Sequence, residues 1–250
     1  MAGVALSCST NCVPDLNRAQ ALKAIADAGY CFVEAYCDRT QSRIGPSVVF
    51  AEQVLDDLAH FGLALSGLNI SDITVGCSLT GLKLEIDYAA SLGAKNVNVR
   101  GGHRTERDMN ALLNCLKVLS PFALSRGVNI NIRNSHGNRV ETLDDIRAVF
   151  SMLNAPALGM ALDAGQFWSS KISPLDASAL FPERTRSIYT PVQLGRATVG
   201  FDQAALISGL AGKGFDGFVV VEQEGRAHNL ARHLKEMRLF IEGILRPDAT

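Results

Sequence analysis

The sequence predicts one closed (β/α)8 barrel over residues 1–250, and three observations carry that expectation. Short β-type runs alternate with longer helical patterns eight times along the chain, which implies a parallel sheet. The 250 residues are the usual size of one such barrel and too few for two generous α/β domains. No G-x-G-x-x-G follows the first strand, which disfavours an open dinucleotide-binding sheet.

The elements follow in order. Val4 to Ser9 reads as the first strand, and Leu16, Ala19, Leu22 and Ile25 then recur at helical spacing up to a stop at Gly29. Cys31 to Tyr36 is the second strand, Ser47 to Phe61 a helix ending before Gly62, and Leu63 to Asn69 the third strand. Leu82, Ile86, Ala89 and Ala90 mark a helix that stops at Gly93, before a fourth strand at Asn96 to Arg100. A long helix from about Glu106 to Ser125 stops before Gly127, and Val128 to Arg133 is the fifth strand. Thr142 with Asp145 has the form of a capping box for the next helix. Leu158 to Asp163 is the sixth strand. An irregular stretch, Ala164 to Thr185, contains a short helix after Pro174. Ile188 to Leu194 is the seventh strand, Asp202 opens a helix, Gly217 to Glu222 is the eighth strand, and Leu230, Leu234, Met237 and Ile241 lie on the last helix.

Composition narrows the function. Apolar residues make up 47% and charged residues 20%, as in a globular protein with a large core. A formal net charge of -1 gives no basic excess for nucleic acid and no acidic tail. No apolar run reaches the roughly 18 residues that span a bilayer. Met1-Ala2-Gly3-Val4 lacks a basic leader, so no signal peptide is expected. The six cysteines (8, 12, 31, 37, 77 and 115) form no C-x-x-C pair and match no zinc module. They read as reduced, mostly buried thiols of a cytoplasmic protein.

Strand alternation assigns faces. Val128, Ile130 and Ile132 share one parity and face the helices, so Asn129, Asn131 and Arg133 point into the barrel. The same count turns Glu34, Arg100, Asp163, Gln193 and Glu222 inward. With Asn69 they form an expected polar ring recurring about every 30 residues, the length of one β/α unit. Such a ring lines the usual substrate cavity of a barrel, although strand ends are also polar simply because loops begin there.

Three stretches carry a family resemblance: Ala24 to Tyr30 followed by Val33-Glu34, Ala89 to Lys95 before the fourth strand, and Gly217 to Gln223. In this order and spacing they resemble the sugar isomerase/epimerase superfamily with the xylose isomerase-like (AP endonuclease 2-like) barrel. That resemblance covers nearly the whole chain. It implies isomerase or epimerase chemistry on a small substrate, and one divalent ion held by Glu, Asp, His and Glu at the ends of strands five to eight. The positions for strands six and eight match as Asp163 and Glu222. The strand-five position is Arg133, the strand-seven position is Gln193, and the frequent strand-four His is Arg100. The family's D-x-x-H becomes Asp163-Ala164-Gly165-Gln166, and its H-x-x-D becomes Gln193-Leu194-Gly195-Arg196.

Arginine stays protonated and offers no lone pair to a metal. A cation about 5 Å from a divalent ion costs on the order of 6 kcal/mol at an effective dielectric of 20. The expectation is therefore no metal, the alternative being a divalent ion such as Mn or Mg at a modified site, rescued by His136 or His103. Arg133 would then polarise a substrate carbonyl, Glu222 would remove the α-proton, and Asp163 would share the proton work. Arg100 and Arg196 would hold a substrate carboxylate or phosphate. Gln193, Gln166, His136, Glu34, Asn69 and Trp168 complete the expected substrate pocket. Arg133 pairing with Asp163 or Glu222 as a structural ion pair is the competing reading.

Three functions stay open: an isomerase or epimerase working by proton transfer, a lyase or dehydratase with an enolate intermediate, and a silent barrel that binds an anion or a partner chain. The expected partner is an anionic or polyhydroxylated small molecule, not nucleic acid or membrane. Relatives of this kind are often dimers or tetramers, so the resemblance also implies a homo-oligomer.

Overall fold

The computed structural model describes residues 3–38, 41–106, 109–191, 200–222 and 229–245. Eight strands form a closed parallel barrel in sequence order: β1 (Ala5–Ser9), β2 (Phe32–Tyr36), β3 (Ala64–Asn69), β4 (Asn96–Arg100), β5 (Asn129–Arg133), β6 (Leu158–Asp163), β7 (Thr185–Thr190) and β8 (Phe218–Val221). Around them lie α1 (Arg18–Asp27), α2 (Ala51–Phe61), α3 (Leu79–Ser91), α4 (Met109–Ser125), α5 (Leu143–Met152), α6 (Ala164–Ser169), α7 (Pro174–Leu180), α8 (Gln203–Ala211) and α9 (Leu230–Leu245). Among the described residues no helix is long and apolar enough to cross a membrane.

Local chemistry sets the helix ends. Thr142 and Asp145 make the expected capping box, and Asp202 caps α8 by accepting from the Ala205 amide at 2.9 Å. Gly62 takes the left-handed conformation that ends α2 without a Cβ penalty.

Two expectations need correction. The seventh strand begins at Thr185, three residues earlier than its apolar pattern indicates, and Pro191 follows it directly. Thr185 closes the expected irregular stretch, yet it and Ser187 are buried in the ladder, and proline offers no N–H to a ladder at 191. The stretch after Asp163 is helical at once, as α6, because the Asp163 carboxylate accepts from the Gln166 amide and caps it.

The core has two unequal parts. Outward strand residues such as Ile130, Ile132, Met160, Leu162, Val219 and Val221 pack with the helices in one large apolar cluster. Inside the barrel the apolar cluster is only Ala161, Tyr189 and Val220, with Phe218 against it. Polar side chains fill the rest of the interior. Paired registers place Asn96 beside Asn129, Asn98 beside Asn131, and Arg100 beside Arg133.

Candidate functional site

At the carboxyl end of the barrel, Arg133 from β5 lies between two carboxylates. Its Nη2 donates at 2.6 Å to Asp163 Oδ2 and at 2.6 Å to Glu222 Oε1, and its Nε donates to Asp163 Oδ2 at 3.1 Å. Nη1 donates to the Tyr36 hydroxyl at 2.9 Å and to Asn69 Oδ1 at 3.4 Å. All five guanidinium N–H groups are therefore engaged by the protein. The guanidinium carbon also lies 3.7 Å from the centre of the Tyr189 ring. Such stacking is one reason lysine could not replace arginine here.

Glu222 is tied on both oxygens. Oε2 accepts from Ser9 Oγ at 2.7 Å and from Tyr36 at 2.8 Å. Burial would raise its pKa, but the Arg133 charge and these hydrogen bonds outweigh burial, so Glu222 titrates below the ordinary glutamate range. Asp163 goes the other way. Burial lifts it, the Arg133 charge pulls it down, and the Glu222 charge adds to the lift, leaving it raised. Tyr36 is held far above its usual range, mainly by burial, so it bridges Arg133 and Glu222 as a neutral phenol.

Beneath this layer lies a second one. Glu34 is 1% exposed and accepts on Oε1 from Tyr189 (2.6 Å), Asn98 (2.6 Å) and Asn69 (2.9 Å), and on Oε2 from Ser66 (2.8 Å). Among the described residues no cation bonds it directly. Burial lifts its pKa, and the Tyr189, Ser66 and Asn98 hydrogen bonds and the more distant Arg133 charge offset only part of that. It is deeper than the expected ring because strand β2 ends two residues later, at Tyr36.

The other expected residues divide. Asn69 joins the two layers, bonding Glu34 below and Arg133 above. Arg100 pairs with Asp72 at 3.1 Å, about a quarter exposed. Gln166 turns to the loop after β5, its Oε1 accepting from the His136 amide at 2.9 Å. The exposed His136 ring bonds Glu141 at 2.7 Å and Ser170 at 3.1 Å. His103 is exposed and makes an isolated bridge to Asn138. Trp168 is 43% exposed and packs on Phe201. Gln193 and Arg196 fall outside the described residues. Of the cysteines, Cys8, Cys12 and Cys37 are buried, Cys77 and Cys115 half-buried, and Cys31 exposed.

Sequence reasoning passed over Ser9, Tyr36, Asn98 and Tyr189. A signal existed for each: Ser9 and Tyr36 close their strands, Asn98 shares the parity of Arg100, and Tyr189 shares the inward parity of Gln193.

Among the described residues no three His, Cys, Asp or Glu side chains cluster so as to hold a metal ion. The donor set that is present does not fit the family's ion. The strand-five position is a cation without a lone pair, and it already bonds both matching carboxylates.

A model of the xylose isomerase-like TIM barrel matches residues 22–243. None of the curated proteins matches the chain by sequence. Among solved structures, L-ribulose 3-epimerase superposes with a TM-score of 0.82 at 16% identity, covering 99% of this chain and 95% of the other. A D-allulose 3-epimerase from Methylomonas sp., in complex with D-allulose, gives 0.81 at 16% identity over 97% of each chain. A barrel from Mycobacterium smegmatis in complex with magnesium gives 0.76 at 15% identity over 96% of each. At these identities the likeness establishes the fold alone.

Proposed function

The chain belongs to the xylose isomerase-like TIM barrel family, and from that premise we propose that it is an isomerase or epimerase. It moves a proton beside the carbonyl of a small polyhydroxylated or anionic substrate, without the family's divalent ion. The observation that carries this reading is the guanidinium of Arg133 placed 2.6 Å from both Asp163 and Glu222. A cation stands among the acid–base residues, where its charge can act on a developing enediolate. The 3-epimerases of the same fold act on sugars and supply the substrate class.

In this reading the α-C–H bond breaks, its proton goes to Glu222, and the electron pair moves onto the carbonyl oxygen. That oxygen takes the place of Asn69 on Arg133 Nη1, the longest of the five guanidinium bonds at 3.4 Å. The lowered pKa keeps Glu222 ionised, and it also makes Glu222 a weak base. Binding must therefore release at least one of its three hydrogen bonds, and the Arg133 bond is the one whose loss raises basicity most. Asp163, shifted upward, is suited to hold the proton that returns to the substrate. Arg100 at the rim binds a terminal hydroxyl, carboxylate or phosphate. A lyase would share the first step and differ in a departing hydroxyl.

One observation favours a second reading. With all five N–H groups bonded, Arg133 has no donor to spare until something is displaced. That is also the pattern of a structural ion pair in a barrel that binds without turnover. The test is the metal content of the purified protein, followed by incubation with ketoses and keto acids in deuterated water before and after chelation. Metal-free exchange of an α-proton supports the proposal. Chelator-sensitive exchange overturns the assignment to Arg133. Loss of water from the substrate favours the lyase, and no turnover with stabilisation by anions favours the binding barrel.

A further inference from the structure

Outside the polar interior, two thiols from different elements meet. Cys77 ends the loop after β3, immediately before Ser78, the residue that caps α3. Cys115 lies in the middle of α4, and the two sulfurs are 4.0 Å apart. Both are half-buried, so a small oxidant reaches them, and their helices pack side by side. A disulfide needs its sulfurs about 2.05 Å apart, so they must close by roughly 2 Å. Cys8 and Cys12 also lie against each other but are closed to solvent, Cys37 is buried and Cys31 stands exposed, so among the described residues Cys77 and Cys115 are the neighbouring thiols that an oxidant can reach.

We propose that Cys77 and Cys115 are an oxidation site, forming a reversible disulfide with a hydroperoxide or a comparable two-electron oxidant. One thiolate attacks the peroxide oxygen, the O–O bond breaks, and a sulfenic acid forms as water or an alcohol leaves. The second thiolate attacks that sulfur and expels the hydroxyl as water. Two thiols are oxidised and one peroxide is reduced. The bond would fasten the loop carrying Asp72 and Ile73 to α4. Asp72 pairs with Arg100 at the barrel rim, and the Ile73 amide donates to the Arg100 carbonyl at 2.8 Å. Arg139, buried, donates to the Ile73 carbonyl. Oxidation therefore stiffens the wall of the mouth that Arg100 lines.

The rate should depend on pH. Burial and then the neighbouring Cys115 push the Cys77 thiol up to about 11, and the thiolate is the reactive form. Reaction is thus slow at neutral pH and accelerates as pH rises. The experiment is peroxide treatment of the folded protein at several pH values, trapping under denaturing conditions, thiol titration and peptide mapping without reductant. The expected result is loss of two of the six thiols, a Cys77–Cys115 linked peptide, faster loss at higher pH and recovery with dithiothreitol. Cys115→Ser and Cys77→Ser should each yield no intramolecular linked peptide under the same dose, because the resolving thiol is missing. Six surviving thiols, a different linked pair, a crosslink between chains through Cys31, or overoxidation of a single cysteine would overturn the proposal.

Discussion

Two buried glutamates share one barrel interior and behave oppositely. Glu222 sits against a guanidinium and is drawn below the usual glutamate range. Glu34, one layer deeper, is surrounded by neutral donors and is lifted above it. Burial acts the same way on both, so the difference isolates the effect of a bonded cation from that of neutral hydrogen bonds. The upper layer is charged and poised for chemistry. In the lower layer neutral donors surround Glu34, and Tyr189 bonds it while stacking under Arg133.

Removing the cation should break the contrast most severely. Arg133→Met leaves Asp163 and Glu222 buried without compensation, and the expected cost near neutral pH is about 3–5 kcal/mol, read from the denaturant midpoint. The sign with pH should also invert. In the parent, the lowered Glu222 contributes stability that is present above its unfolded pKa and lost as pH falls through the folded value. In Arg133→Met both carboxyls would prefer the protonated form, so acidification should recover stability. A variant as stable as the parent at neutral pH would show that the ion pairs contribute little.

Glu222→Gln keeps the shape and removes the base. Turnover should fall by on the order of 10²–10⁴-fold, measured as α-proton exchange with solvent, and unaltered exchange would refute the base assignment. Tyr189→Phe keeps the ring under Arg133 and deletes the hydroxyl that donates to Glu34. Its expected cost is about 1–3 kcal/mol by chemical denaturation, with a much smaller effect on exchange than Glu222→Gln.

The smallest effect sharpens the comparison. Glu34→Gln should cost less stability near neutral pH than Arg133→Met, because it removes one burial-raised carboxyl held by neutral donors and leaves no charge unpaired. The raised Glu34 loses stability for the parent as pH climbs from its unfolded pKa through its folded one. Glu34→Gln should flatten that slope in a stability-against-pH series, and an unchanged slope would mean that Glu34 is ionised after all.

How legible this site was depends on the residue. Period-two alternation placed Arg133, Asp163 and Glu222 inside the barrel, since neighbouring apolar residues had to face the helices. It did the same for Glu34 but could not give its depth. Register slips between β2 and β3 at Val33/Glu34, so Glu34 lies beside Gly67. A Cβ at Gly67 would come within 2.8 Å of Glu34 Oε2, so only the missing side chain leaves the carboxyl its place. His136 was drawn towards the mouth by its position after β5, and nothing local revealed that its ring would bond Glu141 and Ser170.

The sequence by itself determined the eightfold alternation and the face each strand residue takes, and both follow from local periodicity; that Arg133 stands where the family places a metal ligand is what the resemblance implies. The tertiary structure alone decided that Arg133 reaches both carboxylates, that Tyr36 and Tyr189 complete its surroundings, and that Glu34 lies a layer below. A strand's period fixes only which side of the sheet a residue occupies. Its height in a closed barrel depends on the stagger between strands, and that stagger is a property of all eight together.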